Sequence, residues 1–197
     1  MTGKNDAALR SAMKKYIDTG QNSDKLTHLL HTASVDTRYT LLKQTKGQIK
    51  TSCTCLYIAV QNDVMDCIKE MLCGLTPDQQ YNLLSPKCSK LNTALHIAVG
   101  ENRSSLSLVS YLLNDVSQEQ RYQLMKQQNK KEDTVLHCAA THMSEEKLQC
   151  LLTFVPSPQG KELFNIKNKE GKTATDIKPE IYWQHIISLI GKDVEGM

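Results

Sequence analysis

Apolar residues occur along this chain in short clusters at helical spacing, and polar breaks separate the clusters. In the segment TALHIA at 93–98, a threonine precedes apolar positions that fit one face of a helix, and its hydroxyl is suited to cap the first turn. After a polar break at 101–104, the apolar positions between 106 and 113 fit a second helix. Because the connection is short, we expect the two helices to be antiparallel.

A third, shorter helix is predicted after this pair. The segments TPDQ at 76–79 and SQEQ at 117–120 each place a hydroxyl residue three positions before a glutamine, which is the pattern of a capping box. Proline or a carboxylate in the first turn supports the same helix start. We expect a tyrosine and a leucine on each third helix to face inward: Tyr39 with Leu41, Tyr81 with Leu83, and Tyr122 with Leu124.

This unit repeats along the chain. A 14-residue block occurs four times, at 29–42, 71–84, 112–125 and 151–164, with starts 42, 41 and 39 residues apart. A six-residue block, read as TCLYIA, TALHIA, TVLHCA and TATDIK, begins at 54, 93, 134 and 173. One unit cannot bury both faces of its helices, so stacked copies of about 40 residues predict an all-α helical solenoid.

The repeats set the expected organisation of the chain as one solenoid domain. We expect an N-terminal helical capping repeat over 1–42, because its helices lack the Thr-Leu-His motif. We expect a C-terminal capping repeat over 165–197, where Thr175 and Asp176 stand in place of Leu-His. Between the caps we expect three repeats, each with two helices and a short third helix: residues 43–84, 85–125 and 126–164.

The recurring segments TCLYIA, TALHIA and TVLHCA resemble the ankyrin repeat, whose Thr-Pro-Leu-His-x-Ala motif opens the first helix of a helix-turn-helix unit. The resemblance covers about residues 43–190. It departs from the family in length, since the family standard is about 33 residues, and the extra capped helix accounts for the surplus. In the first full repeat, Tyr57 replaces the histidine. Other residues replace the proline of the motif: Cys55, Ala94, Val135 and Ala174.

The resemblance implies roles for particular residues. It implies β-hairpin or loop fingers at 43–53, 85–92, 126–133 and 165–172, which we number fingers 1 to 4, and a concave partner-binding face lined by the fingers and by the exposed end of each first helix. It also implies that the motif histidines are buried scaffold residues that hydrogen-bond the threonine hydroxyl and nearby backbone. The implied structural positions are Thr54, Thr93, His96, Thr134, His137 and Thr173. The candidate partner-binding residues are Lys46, Lys50, Gln61, Asn62, Lys87, Lys90, Gly100, Glu101, Lys130, Lys131, Thr141, His142, Lys167 and Lys169.

The four finger segments are strongly basic. They hold 11 of the 24 lysine and arginine residues and only three acidic residues, a net charge of +8, although the whole chain carries +3. The remainder of the chain therefore carries −5. A row of ammonium groups along one edge would attract a partner with an acidic surface. The alternative is that exposed turns carry lysine only for solubility.

Signals for metal binding or catalysis are weak. His28 and His31 have helical spacing but no third ligand beside them, and Cys53, Cys55 and Cys88 lack an evident fourth, so we expect no metal. Motifs that cradle phosphate or present a nucleophile, such as G-x-x-x-x-G-K-[ST] and G-x-S-x-G, are absent from the sequence. We therefore expect no enzymatic activity and no cofactor.

Composition indicates the cellular compartment. The 40% hydrophobic fraction is sufficient for a core, while no apolar run reaches the length of a membrane span. The seven cysteines form no C-x-x-C pair, and three of them, Cys67, Cys138 and Cys150, fall in apolar helical patterns, which favours buried free thiols. The first residues carry no secretory signal. We expect a cytoplasmic protein, with the nucleus and delivery into a host cytosol as alternatives.

The sequence therefore predicts a monomeric, non-catalytic adaptor or scaffold module that binds a protein partner through the concave face and the lysine-rich fingers. An electrostatic binder of nucleic acid or of another anionic surface is one alternative. Nucleic acid is disfavoured because the finger segments contain no aromatic residue that could stack on a base. A regulatory or effector ankyrin module of a larger protein is the other alternative.

Overall fold

The computed structural model describes residues 2–44, 54–88, 90–100, 106–142, 145–154 and 157–178. Within these ranges thirteen α-helices follow one another and no residue lies in a β-strand. The helices are α1 (Thr2–Thr19), α2 (Ser23–Thr32), α3 (Val35–Gln44), α4 (Cys55–Gln61), α5 (Met65–Leu72), α6 (Pro77–Leu84), α7 (Ala94–Gly100), α8 (Leu106–Asn114), α9 (Gln118–Lys126), α10 (Val135–His142), α11 (Glu145–Thr153), α12 (Ser157–Asn165) and α13 (Ala174–Ile177).

The first helix of a unit begins at its threonine because the hydroxyl satisfies a backbone N–H group that has no partner within the helix. Thr54 Oγ1 accepts a hydrogen bond from the Tyr57 N–H at 3.1 Å, and Thr173 Oγ1 accepts one from the Asp176 N–H at 3.4 Å. The residues that follow Thr54 are buried along most of α4. A short, almost wholly apolar helix of this kind is stable only between neighbouring helices.

The third helices begin at the two predicted capping boxes, which are confirmed. The Thr76 hydroxyl accepts from the Gln79 N–H at 3.3 Å, and the Gln79 side chain accepts from the Thr76 N–H at 3.0 Å. Ser117 and Gln120 form the same reciprocal pair at the start of α9. The predicted tyrosines all pack against the core, although only Tyr122 is fully buried.

Helices of one kind stack on one another along the solenoid. The first helices contact in the order α1, α4, α7, α10 and α13, and the third helices in the order α3, α6, α9 and α12. Among the second helices, α2 packs on α5 and α8 packs on α11. The main core of buried hydrophobic residues runs from Leu9 in α1 to Ala174 in α13. The expected all-α, ankyrin-like repeat solenoid is therefore confirmed.

Two arginines on third helices fasten them to the second helices. Arg38 in α3 is buried, and its guanidinium donates to the carbonyls of Glu70 and Cys73 at the end of α5. Arg121 in α9 donates to the Leu113 carbonyl at 2.8 Å and to the next carbonyl at 2.7 Å, at the end of α8. The last carbonyls of a helix lack partners within the helix and carry partial negative charge. A guanidinium therefore stabilises them both as a hydrogen-bond donor and as a positive charge. Neither set of contacts was predicted from the sequence.

Thr76→Ala tests the capping box of α6. Loss of the hydroxyl leaves a helix N–H group without its partner, so we expect the free energy of unfolding to fall by about 1 kcal/mol. Thr40→Ala is the matched control, because Thr40 is an exposed threonine within α3 and does not occupy a cap position. We expect that variant to stay within about 0.5 kcal/mol of wild type. Denaturant unfolding followed by circular dichroism measures both, and equal losses would contradict the capping role.

Candidate functional site

Fingers 2, 3 and 4 share one backbone conformation. In finger 3, the Asn129 N–H donates to the Asp133 carbonyl at 3.0 Å, and the Glu132 N–H donates to the Asn129 carbonyl at 2.9 Å. The same pair of bonds closes the turns that begin at Cys88 and at Asn168. The fourth residue of each turn is left-handed, with φ of 57° at Leu91, 60° at Glu132 and 77° at Gly171. The described parts of these fingers are hydrogen-bonded turns without strands.

An asparagine side chain supports the turn in fingers 3 and 4. Asn129 Oδ1 accepts from the N–H groups of Lys131 and Asp133 at 2.8 and 3.1 Å. Asn168 Oδ1 makes the equivalent pair of bonds in finger 4. In finger 2 the position is held by Cys88, which is buried against Tyr57. The signal in the sequence is an asparagine five residues before the motif threonine, and this turn was not predicted from it.

Backbone hydrogen bonds join each of these fingers to the next. The Lys130 N–H donates to the Lys90 carbonyl at 3.0 Å, and the Lys169 N–H donates to the Lys131 carbonyl at 3.0 Å. Side chains add to the connection, since Asn168 Nδ2 donates to Asp133 Oδ1 at 2.8 Å. Fingers 2, 3 and 4 therefore form one continuous edge whose lysines are held in a defined order.

The motif histidine His96 ties the start of α7 to finger 3. Its Nδ1 lies 2.8 Å from the Thr93 hydroxyl and accepts from the Thr93 N–H at 3.3 Å, so the ring proton is on Nε2. Nε2–H then donates to the Asp133 carbonyl at 3.1 Å. Burial disfavours the charged imidazolium and lowers the pKa of His96 to about 4. The imidazole is therefore neutral at physiological pH and serves as a bridge between repeats.

The same bridge recurs in the following repeat and is altered in the outer two. His137 Nδ1 lies 2.7 Å from the Thr134 hydroxyl, and Nε2 donates to the Lys172 carbonyl at 3.0 Å. Asp176 reproduces only the capping half, because Asp176 Oδ2 accepts from the Thr173 N–H at 2.8 Å and a carboxylate cannot donate to a carbonyl. Tyr57 at the equivalent position of the first full repeat is nearly buried.

The lysine side chains of the described fingers lie in solvent. Fingers 2, 3 and 4 contain eight lysines and three acidic residues, a net charge of +5. All eight lysines are exposed: Lys87, Lys90, Lys126, Lys130, Lys131, Lys167, Lys169 and Lys172. Lys87 Nζ donates to the Gln128 carbonyl at 2.7 Å, and Lys172 Nζ lies 3.1 Å from Glu170 Oε2. Lys46 and Lys50 belong to finger 1 and lie outside the described residues.

The other candidate partner-binding residues lie at the ends of the first helices. Gln61, Asn62, Thr141 and His142 are exposed, Gly100 is half-buried, and Glu101 lies outside the described residues. A Cβ atom on Gly100 would be 3.9 Å from His142 Cδ2, so the ends of α7 and α10 are neighbours. The structure thus places the C-terminal ends of neighbouring first helices next to one another.

The residues considered for metal binding or reactivity do not assemble into a site within the described ranges. No group of three or more His, Cys, Asp or Glu side chains there is close enough to hold a metal ion. His31 Nδ1 lies 3.1 Å from Glu70 Oε1, and Cys53 is outside the described residues. Burial raises the pKa of the Cys138 thiol to about 12 and that of Cys67 to about 11. These thiols are therefore protonated and poor nucleophiles.

The architecture and the Thr-His bridges define a helical repeat protein whose neighbouring units share one local geometry. The ankyrin repeat family model matches residues 90–120, which span the end of finger 2, α7, α8 and the start of α9. The chain therefore contains an ankyrin repeat, and the resemblance drawn from the Thr-Leu-His motif is confirmed. The ankyrin repeat is typically a non-catalytic protein interaction module. No curated protein sequence matched the chain.

Among the described helices, none has both the length and the apolar character needed to cross a bilayer.

Acidification is expected to destabilise the protein through His96. Its pKa is about 4 when folded against an ordinary 6.5, so between these values the unfolded chain binds a proton that the folded chain does not. The free energy of unfolding should then fall by about 1.4 kcal/mol for each pH unit lost. Denaturant titrations at a series of pH values measure this slope.

Two variants test whether His96 causes this pH dependence of the free energy of unfolding. His96→Gln should lose much of the pH dependence, because glutamine does not titrate, whereas His142→Gln should keep it, because His142 is exposed. If the His96→Gln variant retained the wild-type slope, the acid sensitivity would arise elsewhere.

Proposed function

We propose that this chain is a non-catalytic adaptor or scaffold module that binds an acidic protein partner through a concave face formed by fingers 1 to 4 and the exposed ends of the first helices. The repeat units are those predicted from the sequence, 43–84, 85–125 and 126–164, between capping repeats at 1–42 and 165–197. Each of the three central units contains three of the helices described above, which supports this division.

The observation that carries the proposal is the continuous lysine edge. Within the described part of the chain, five finger lysines have ammonium groups without a hydrogen-bond or ion-pair partner: Lys90, Lys130, Lys131, Lys167 and Lys169. Like charges placed side by side repel, and the neighbouring backbone bonds hold these residues together nonetheless. Carboxylates from a partner would relieve this repulsion and accelerate association.

The helix-end residues supply further polar groups to the proposed surface. Gln61, Asn62, Thr141 and His142 are exposed and can exchange hydrogen bonds with a partner backbone or side chain. Gly100 ends α7, which lies between α4 and α10, so no side chain projects from this helix end. Five cysteines among the described residues are free thiols, which supports the proposed cytoplasmic location. We propose that the module acts as a monomer.

Charge reversal tests the lysine edge. We expect a variant with Lys130, Lys131, Lys167 and Lys169 changed to glutamate to lose at least about tenfold in affinity for the partner at low salt. Wild type and variant are used as baits in parallel affinity capture with mass spectrometry, and the captured partner is then purified and titrated against both. The control reverses the same number of exposed lysines on the N-terminal helices and α5: Lys14, Lys15, Lys25 and Lys69.

The control has the same net charge as the test variant, so a loss in both would mean that net charge, and not the finger edge, governs binding. Equal binding by wild type and the finger variant would rule out the lysine surface. A salt series separates the nucleic-acid alternative: binding that collapses between about 50 and 200 mM salt is typical of phosphate recognition, whereas a shaped protein interface weakens gradually.

A further inference from the structure

Leu91 in finger 2 combines exposure with an unfavourable backbone conformation. It is the one large hydrophobic residue among the described residues that is exposed, with 45% of its surface accessible. Its φ of 57° lies in the left-handed region, which residues with a Cβ atom adopt at a cost. Leucine at this position therefore helps neither the solubility of the finger nor the turn itself.

The equivalent positions show what the turn requires. Finger 4 has Gly171 there, which adopts a positive φ without steric cost, and finger 3 has Glu132, which is polar and exposed. Glu132 bears the same conformational cost as Leu91, but its side chain is polar, so what distinguishes Leu91 is its exposed apolar surface. The leucine of finger 2 calls for another explanation, and residues held in costly conformations occur preferentially at binding sites.

Leu91 is surrounded by the lysine edge. Lys90 precedes it, and the Lys90 carbonyl accepts the Lys130 N–H, so finger 3 places a second unpaired lysine beside the leucine. An apolar side chain next to ammonium groups matches a ligand that carries both an apolar side chain and carboxylates. An extended peptide segment can present an apolar side chain and carboxylates within a few residues of one another.

We infer that Leu91 is the apolar anchor of a binding site for an acidic peptide segment with one aliphatic or aromatic side chain, which packs on Leu91 while neighbouring carboxylates contact Lys90 and Lys130. This inference rests on the proposed function and specifies its partner. Leu91 would determine specificity, and the lysines would supply the long-range attraction.

The test uses a random 12-residue peptide library selected on the immobilised wild-type chain at low salt. Enriched peptides are expected to combine several acidic residues with one aliphatic or aromatic residue. Synthetic peptides of the enriched sequence are then titrated against wild type and Leu91→Gly, and we expect at least a tenfold loss of affinity in the variant. Because glycine adopts a positive φ without steric cost, the midpoint temperature of thermal unfolding of Leu91→Gly should not be lower than that of wild type. A lower midpoint would indicate a structural role for the leucine and would overturn the inference.

Glu132→Gly is the matched control, since it places glycine at the same left-handed position of the next finger. It removes an acid from the edge, so it should bind the peptides at least as tightly as wild type. Leu91→Met should retain most of the affinity, because methionine is apolar and similar in volume to leucine.

The outcomes separate this inference from the proposed function. Enriched peptides that are acidic without an apolar residue, or equal binding by wild type and Leu91→Gly, would overturn the role of Leu91 and leave the lysine edge intact. Peptides whose binding is unaffected by reversal of the four finger lysines would contradict the lysine edge itself. A library that yields no enriched sequence would show that the edge does not recognise extended peptides, which also overturns the inference.

Discussion

The solenoid depends on an imidazole ring that satisfies two backbone groups in adjoining repeats. His96 accepts a hydrogen bond from the Thr93 N–H at the start of α7 and donates one to the Asp133 carbonyl in finger 3, and His137 makes the equivalent pair of hydrogen bonds one repeat later. A buried backbone N–H or carbonyl without a hydrogen-bond partner lowers the stability of the fold. Each bridge therefore fixes both the start of a helix and the position of the next finger relative to that helix. Few other side chains could do both, because the task needs an acceptor and a donor on opposite sides of one rigid ring.

The fingers inherit their alignment from these bridges. With the Asp133 and Lys172 carbonyls held by imidazoles, the turns they close lie at a fixed distance from the helices, and the bonds from Lys130 to Lys90 and from Lys169 to Lys131 can form. Lysines that would otherwise diverge to reduce their repulsion are kept in a row. The surface charge and the buried hydrogen bonds of this protein are therefore two consequences of one arrangement.

Several features could be predicted from local sequence, and others could not. The capping boxes at Thr76 and Ser117 follow from residues three positions apart, and the family match at 90–120 agrees with the motif at TALHIA. Arg38 gave no local sign of its role, because the carbonyls it binds in α5 are more than 30 residues away. The left-handed φ of Leu91 was equally hidden, since leucine is not a residue that indicates such a turn.

The sequence by itself determined the helical pattern, the capping residues, the repeat and the concentration of lysine in the segments between third and first helices. These properties depend on neighbours within one turn of helix or on a period along the chain. Only the tertiary structure decided which carbonyl each histidine reaches, that the lysine segments are joined edge to edge, and that a leucine is exposed among them. Those outcomes depend on how one repeat sits on the next, and contacts about 40 residues apart leave no trace in a local pattern.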